Sequence, residues 1–178
     1  MGMMIAALLW GFSEATLFFI IPDVILTAIA IKGFKKGVYA SLIALAGALI
    51  GGGIMYLFAV YHFDFVYQLV QKVPAISEEM LEKVNRNLEG HGLIAMIVGP
   101  IGGIPYKAFA IMAPSNGIGF MEFLLASVPA RFVRFFLTST LAWFLANICF
   151  KQLSLPVKYT VWLIVWIIVY CIYFSIHL

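Results

Sequence analysis

The sequence predicts an all-α membrane protein: an inverted repeat of two re-entrant helical hairpins, each followed by a transmembrane helix, with a further transmembrane helix at the C-terminal end. Three observations lead there. The chain is 64% hydrophobic and only 11% charged, against roughly 25% charged residues in a soluble domain, and a small water-soluble fold leaves too much surface exposed to hide that excess. Several apolar stretches reach the ~20 residues that one crossing requires. Twice, a stretch interrupted by Pro, Gly or charge is followed by a long uninterrupted one, the hydropathy signature of opposed discontinuous helices.

The length suits one membrane domain, 1–178. The first segment, 3–31, is apolar but interrupted by Glu14, Pro22 and Asp23. It lacks a basic leader region and carries an acid where a signal peptide keeps its apolar core, so it reads as retained structure. A basic loop, Lys32 to Gly37, leads to the second segment, 38–61, an uninterrupted span. Its Gly47 and Gly51 form a GxxxG pair that lets another helix approach closely, and the run Gly51–Gly53 permits local bending.

From 62 to 91 the chain turns polar. Ser77-Glu78-Glu79-Met80-Leu81-Glu82-Lys83-Val84 reads as an amphipathic helix capped by Ser77, at the surface or the membrane interface. The next segment, 92–120, carries Gly99-Pro100, Gly102-Gly103, Pro105, Lys107, Pro114 and Gly117. Proline removes a backbone donor and glycine costs ~1 kcal/mol per helical site, so this is no simple spanning helix. Such irregular backbone survives at membrane depth only under a cover of protein or beside a wet cavity. Segment 122–150 reads as one long helix bearing Pro129, Arg131 and Arg134. Segment 157–177 is a plain, lipid-facing span.

The basic residues give a weak check on topology. If 92–120 enters and leaves on one side, Lys32, Lys35, Lys36, Lys151 and Lys158 share a side without acids. The 62–91 connection, with three basic residues and five acids, then lies opposite. The positive-inside rule favours that arrangement over a full crossing.

A charge at the bilayer centre costs ~2.5–3.5 kcal/mol on insertion scales. Glu14, Asp23, Lys107, Arg131 and Arg134 all stand in apolar surroundings and are therefore expected to face a cavity or one another. Glu14 and Asp23 are nine residues apart, on opposite faces of an unbroken helix. A turn near Phe19–Pro22 would bring both to one cavity. They read either as a proton-carrying pair, with burial raising a carboxyl towards neutrality, or as a helix cap and a structural ion-pair partner. Arg131 and Arg134, three apart, share a face. Their guanidinium forks suit a phosphate, or pair with Glu14 and Asp23 as static glue. Lys107 follows Pro105, where the start of a half-helix would make an anion site; alternatively it snorkels to the interface. Pro22, Gly102, Gly103 and Pro105 are the expected hairpin breakers.

No catalytic residue, metal site or cofactor is expected. Cys149 and Cys171 form no CxxC and read as buried thiols packing as small hydrophobes. A net charge of +3 is too weak and scattered for nucleic acid. The acids in the first segment point to protons as a partner, and a homo-oligomer is a further possibility.

Three motifs in order carry a family resemblance: Phe12-Ser-Glu-Ala-Thr-Leu-Phe-Phe-Ile-Ile-Pro-Asp-Val-Ile-Leu26, Ile104-Pro-Tyr-Lys-Ala-Phe-Ala-Ile-Met-Ala113, and Phe123-Leu-Leu-Ala-Ser-Val-Pro-Ala-Arg-Phe-Val-Arg-Phe-Phe136. Across about residues 8–145 the chain resembles the DedA family of VTT-domain membrane proteins, related to SNARE-associated Golgi proteins. It departs from the family pattern at Phe19 and Ile21, where further prolines are frequent, at Pro114, where glycine is common, and at Ala130, where glycine often precedes the first arginine. The resemblance implies opposed re-entrant hairpins in a bacterial inner membrane and transport or scrambling of lipids, of the undecaprenyl phosphate and phosphatidylethanolamine types. In some members that transport depends on the proton motive force. The resemblance carries over Glu14, Asp23, Arg131 and Arg134 as essential, and Lys107 less securely.

The expected function is thus a lipid translocase of flippase or scramblase type, for an anionic or zwitterionic phospholipid or a polyprenyl phosphate. Alternatives are a proton-coupled transporter of a small ion or solute, and a membrane scaffold. An enzyme is the weakest reading, because no nucleophile–base pair or metal set is visible.

Overall fold

The fold is that of a computed structural model, which describes residues 2–74, 76–100 and 102–177; Ile101, inside the broken segment 92–120, lies outside the described residues. Nine α-helices account for most of the described chain: α1 (Gly2–Ala15), α2 (Asp23–Ile31), α3 (Phe34–Tyr61), α4 (Phe63–Gln71), α5 (Glu78–His91), α6 (Leu93–Val98), α7 (Tyr106–Met112), α8 (Phe120–Phe144) and α9 (Leu155–His177). A 3-10 turn, Pro114–Asn116, precedes α8, and a π-helical turn, Leu145–Cys149, extends it. No strand occurs among the described residues.

Among the described residues, three helices are long and apolar enough to cross a membrane: Phe34–Tyr61, Phe120–Cys149 and Leu155–Ser175, of 28, 30 and 21 residues. At 1.5 Å per residue each reaches about 30 Å or more, the thickness of the hydrocarbon core. By the same rise α1 is only about 21 Å long, α2 about 14 Å, and α6 and α7 about 10 Å each.

α3 and α8 form the centre and run antiparallel. Near the start of α3, Ser41 Oγ lies 3.0 Å from Ser139 Oγ and donates to the Phe135 carbonyl at 3.2 Å. At its other end, Tyr56 donates to the Ile118 carbonyl at 2.7 Å and packs between Phe120 and Phe123. The chain between α3 and α8 therefore leaves and returns at one end of this pair. The lysine loops gather at the opposite end, where Asn147 donates to the Ile31 carbonyl at 3.2 Å and Lys32 lies 6.0 Å from the Tyr159 ring.

The expected GxxxG contact is present, and its partner is α1. A Cβ on Gly47 would collide with the Leu8 carbonyl, and one on Gly51 would press on Phe12. α3 stays helical through Gly51–Gly53. Gly52 serves a close approach, because a side chain there would overlap the Tyr106 ring. This stripe of small residues lets backbones meet where no hydrophobic force drives helices together.

Several boundaries differ from the sequence reading. The span expected at 38–61 begins at Phe34 and takes Lys35 and Lys36 into its first turn, because nothing in Phe34–Gly37 breaks a helix. The single helix expected over 122–150 is α-helical only from 120 to 144. The connection 62–91 holds two helices: α5, capped as expected by Ser77 Oγ accepting from Met80 N at 3.2 Å, and the unforeseen α4, which buries Val66 and Val70. Cys149 and Cys171 are exposed and not buried. Both lie on outward faces of helices whose apolar exterior is the norm, and α9 has no buried residue in its spanning window.

Candidate functional site

Two breaks in the helical framework build the site. The first lies between α1 and α2. Thr16 Oγ1 bonds back to the carbonyls of Phe12 and Ser13, at 3.2 and 2.9 Å, and closes α1. Trp10 Nε1 donates across the turn to the Ile20 carbonyl at 3.0 Å. Pro22, without an N–H, then stands immediately before Asp23, the first residue of α2. The second break lies between α6 and α7. Gly103 adopts φ +85°, a left-handed conformation that side chains resist. Pro105 is extended, so α7 restarts at Tyr106, where the sequence places a half-helix. Lys107, only 2% exposed, joins the two breaks by donating to the Phe18 carbonyl at 2.6 Å.

Buried charge completes the arrangement. α8 presents Arg131 and Arg134 one turn apart, and each meets an acid of the first segment. Arg131 Nη2 pairs with Glu14 Oε2, and both side chains are almost fully enclosed. The Arg131 guanidinium lies 4.7 Å from the Tyr106 ring centroid and 5.0 Å from that of Phe135, within cation–π range of both faces. Its Nε and Nη1 have no hydrogen-bond partner among the described residues. Arg134 Nη2 donates to Asp23 Oδ2 at 2.8 Å, and Thr138 Oγ1 donates to Asp23 Oδ1 at 2.7 Å. Arg134 keeps 21% of its side chain exposed, Asp23 2%.

A cavity of about 510 Å³ opens where these parts meet. Its polar lining includes Glu14, Lys107, Arg134, Thr138 and Tyr170, and its apolar walls come from both breaks, α8, α9 and Val73, Pro74 and Ile76. Of the residues singled out in the sequence, Glu14, Lys107, Arg134, Pro100, Gly103, Pro105 and Pro129 line it, as do Phe19, Ile21 and Ala130, where the sequence departs from the family pattern. Asp23 and Arg131 stand behind it, each paired to a residue that does. Pro22 and Gly102 shape the breaks and stay off the lining. Val133 and Leu137 line the cavity yet are 45% and 58% exposed, so its wall on α8 continues onto the outer apolar surface.

Sequence reasoning missed three contributors. Thr138 follows Arg134 by four residues and so shares its helix face; that spacing was a usable signal. Tyr106 adjoins Lys107, but its burial, its stack on Phe123 and its 2.8 Å hydrogen bond to Ser127 emerge only in the fold. Tyr170, whose hydroxyl accepts from Ile21 N at 3.1 Å, has no local signature at all.

The fold and this site define an all-helical membrane protein with a charged cavity between two interrupted segments. No family model matches the sequence, and no solved structure matches it. The chain is 30% identical over 132 residues to an uncharacterized protein of Haemophilus influenzae, a match covering 74% of this chain and 68% of that one. It belongs to the same family as that protein.

Proposed function

We propose that this protein is a lipid translocase of the flippase or scramblase type, a small DedA-like protein crossing a bacterial inner membrane several times. It moves an anionic or zwitterionic phospholipid, or a polyprenyl phosphate, with protons as the coupling ion. The observation that carries this reading is the cavity that holds Glu14, Lys107 and Arg134 and is walled by Val133 and Leu137, which also face outward. Isolated charge at membrane depth is expensive and normally marks a substrate or ion path. A cavity edged by lipid-exposed side chains is open to a substrate arriving from the bilayer, which favours a lipid over a dissolved ion.

The helix lengths support two opposed re-entrant hairpins. α1 with α2, and α6 with α7, are each too short to cross, and each pair precedes a spanning helix, α3 or α8. Because α3 and α8 are antiparallel, the two units have opposite sense, the plan of an inverted repeat whose broken helices meet at mid-membrane. In this reading Arg134, partly exposed, exchanges its carboxylate partner for the substrate phosphate, which its planar fork can hold bidentately. Asp23, released from that pair, takes up the proton, while Glu14 stays paired with Arg131.

The test is reconstitution in liposomes with a head-group accessibility assay. The wild type is expected to equilibrate labelled lipid between leaflets, faster when a pH gradient is imposed. The Arg131→Ala, Arg134→Ala double variant and Arg134→Gln alone should be inactive while still inserting. Activity of both variants equal to the wild type would sink the mechanism.

A further inference from the structure

A second crevice, of about 320 Å³, lies between α8 and α9 towards the lysine-rich end. Leu141, Ala142, Ala146, Val161 and Val165 make its walls, and Lys158 is the charged residue on its lining. The π-helical turn Leu145–Cys149, a local widening of the helix, supplies part of the α8 wall. α9 leans on α2 and not on α8: Tyr159 donates to the Ala28 carbonyl at 2.9 Å, and Trp162 and Trp166 both donate to Thr27 Oγ1, at 2.9 and 3.1 Å. Those bonds satisfy the indole N–H groups and leave the facing sides of α8 and α9 apart and apolar.

Charge at the mouth of the crevice has one sign. Lys158 there is joined at the same end by Lys32, Lys35, Lys36 and Lys151, and the sequence has no Asp or Glu in 24–63 or 123–178. A second copy of the chain docked here about a two-fold axis would set lysines against lysines. A hydrocarbon slot with a cationic rim suits a molecule with an apolar chain and an anionic head. Burial of the hydrocarbon chain favours binding, and each lysine near an anionic head group strengthens it about five-fold.

We infer that the α8–α9 crevice binds an anionic phospholipid, one hydrocarbon chain lying between the helices and its phosphate at Lys158. The crevice adjoins the charged cavity at Thr138, which lines both, and its occupancy does not depend on translocation.

The experiment is native mass spectrometry of the purified full chain in detergent, titrated with phosphatidylglycerol or with phosphatidylcholine of identical chains. The wild type should retain phosphatidylglycerol preferentially. Lys158→Gln should weaken that retention about five-fold, the equivalent of one lysine near an anionic head group. Lys83→Gln, at the opposite end, should leave it unchanged. Ala146→Trp, filling the slot, should reduce retention of both lipids; Ala142→Phe provides a second filled slot, and circular dichroism establishes that each variant folds. Equal retention of the two lipids by the wild type would overturn the assignment. So would wild-type retention by Lys158→Gln, an equal loss with Lys83→Gln, or undiminished binding in a folded slot-filled variant.

Discussion

Arg131 and Arg134 sit one turn apart on the same helix and pair with acids of the same segment, yet their surroundings differ. Arg131 is fully enclosed between two aromatic rings and pairs with Glu14. Arg134 reaches the cavity, and its partner Asp23 has a second donor in Thr138. A buried pair gains little net stability but is costly to split, because the survivor keeps an uncompensated charge. A pair at a cavity edge can exchange partners at lower cost. The first arrangement therefore holds the two broken segments together, and the second is the one free to work.

Variants can break this contrast. The largest effect is expected from Glu14→Ala, which strands the Arg131 charge and should destabilise the protein by about 3–5 kcal/mol. Unfolding in detergent would measure it, and the Glu14→Leu, Arg131→Met pair should recover most of the loss. A Glu14→Ala variant as stable as the wild type would show that the enclosed pair is not a clamp. Next, Asp23→Ala should cost about 1–3 kcal/mol, the loss of a charge-assisted hydrogen bond, since Arg134 can turn into the cavity. Lipid movement in liposomes should nevertheless fall to background. A stability loss matching that of Glu14→Ala would erase the distinction.

Tyr106→Leu removes one face of the aromatic clamp and should destabilise by roughly 1–2 kcal/mol. Tyr106→Phe keeps the ring and loses only the hydrogen bond to Ser127, about 1 kcal/mol. Equal costs for the two would deny the ring its role. The smallest effect belongs to Thr138→Val, at about 1 kcal/mol or less, because its hydroxyl also bonds the Arg134 carbonyl at 3.0 Å. It should slow transport without abolishing it, which a time course in liposomes would resolve.

Much of the framework was legible along the chain. Hydropathy located the three spanning helices, Ser77 marked the start of α5, and Pro22, Gly103 and Pro105 marked where helices stop and restart. Those signals are local, a matter of one residue's φ range or missing N–H. α4 escaped because it is a short amphipathic helix of nine residues inside a connection whose average is polar. The cysteines misled because apolar surroundings in a sequence do not separate a face turned to the core from one turned to lipid.

By itself, then, the sequence determined that this is a helical membrane protein, which charges must be sheltered within it, and which segments cannot cross as plain helices. These follow from the cost of charge and of unsatisfied backbone in hydrocarbon. Only the tertiary structure decided that Glu14 meets Arg131 and Asp23 meets Arg134, the latter 111 residues apart. The same holds for which arginine is enclosed and which reaches the cavity. The i, i+3 spacing put both arginines on one face, but their unequal burial depends on Tyr106, Phe135, Thr138 and the two breaks arriving from other parts of the chain. No local pattern encodes that arrival.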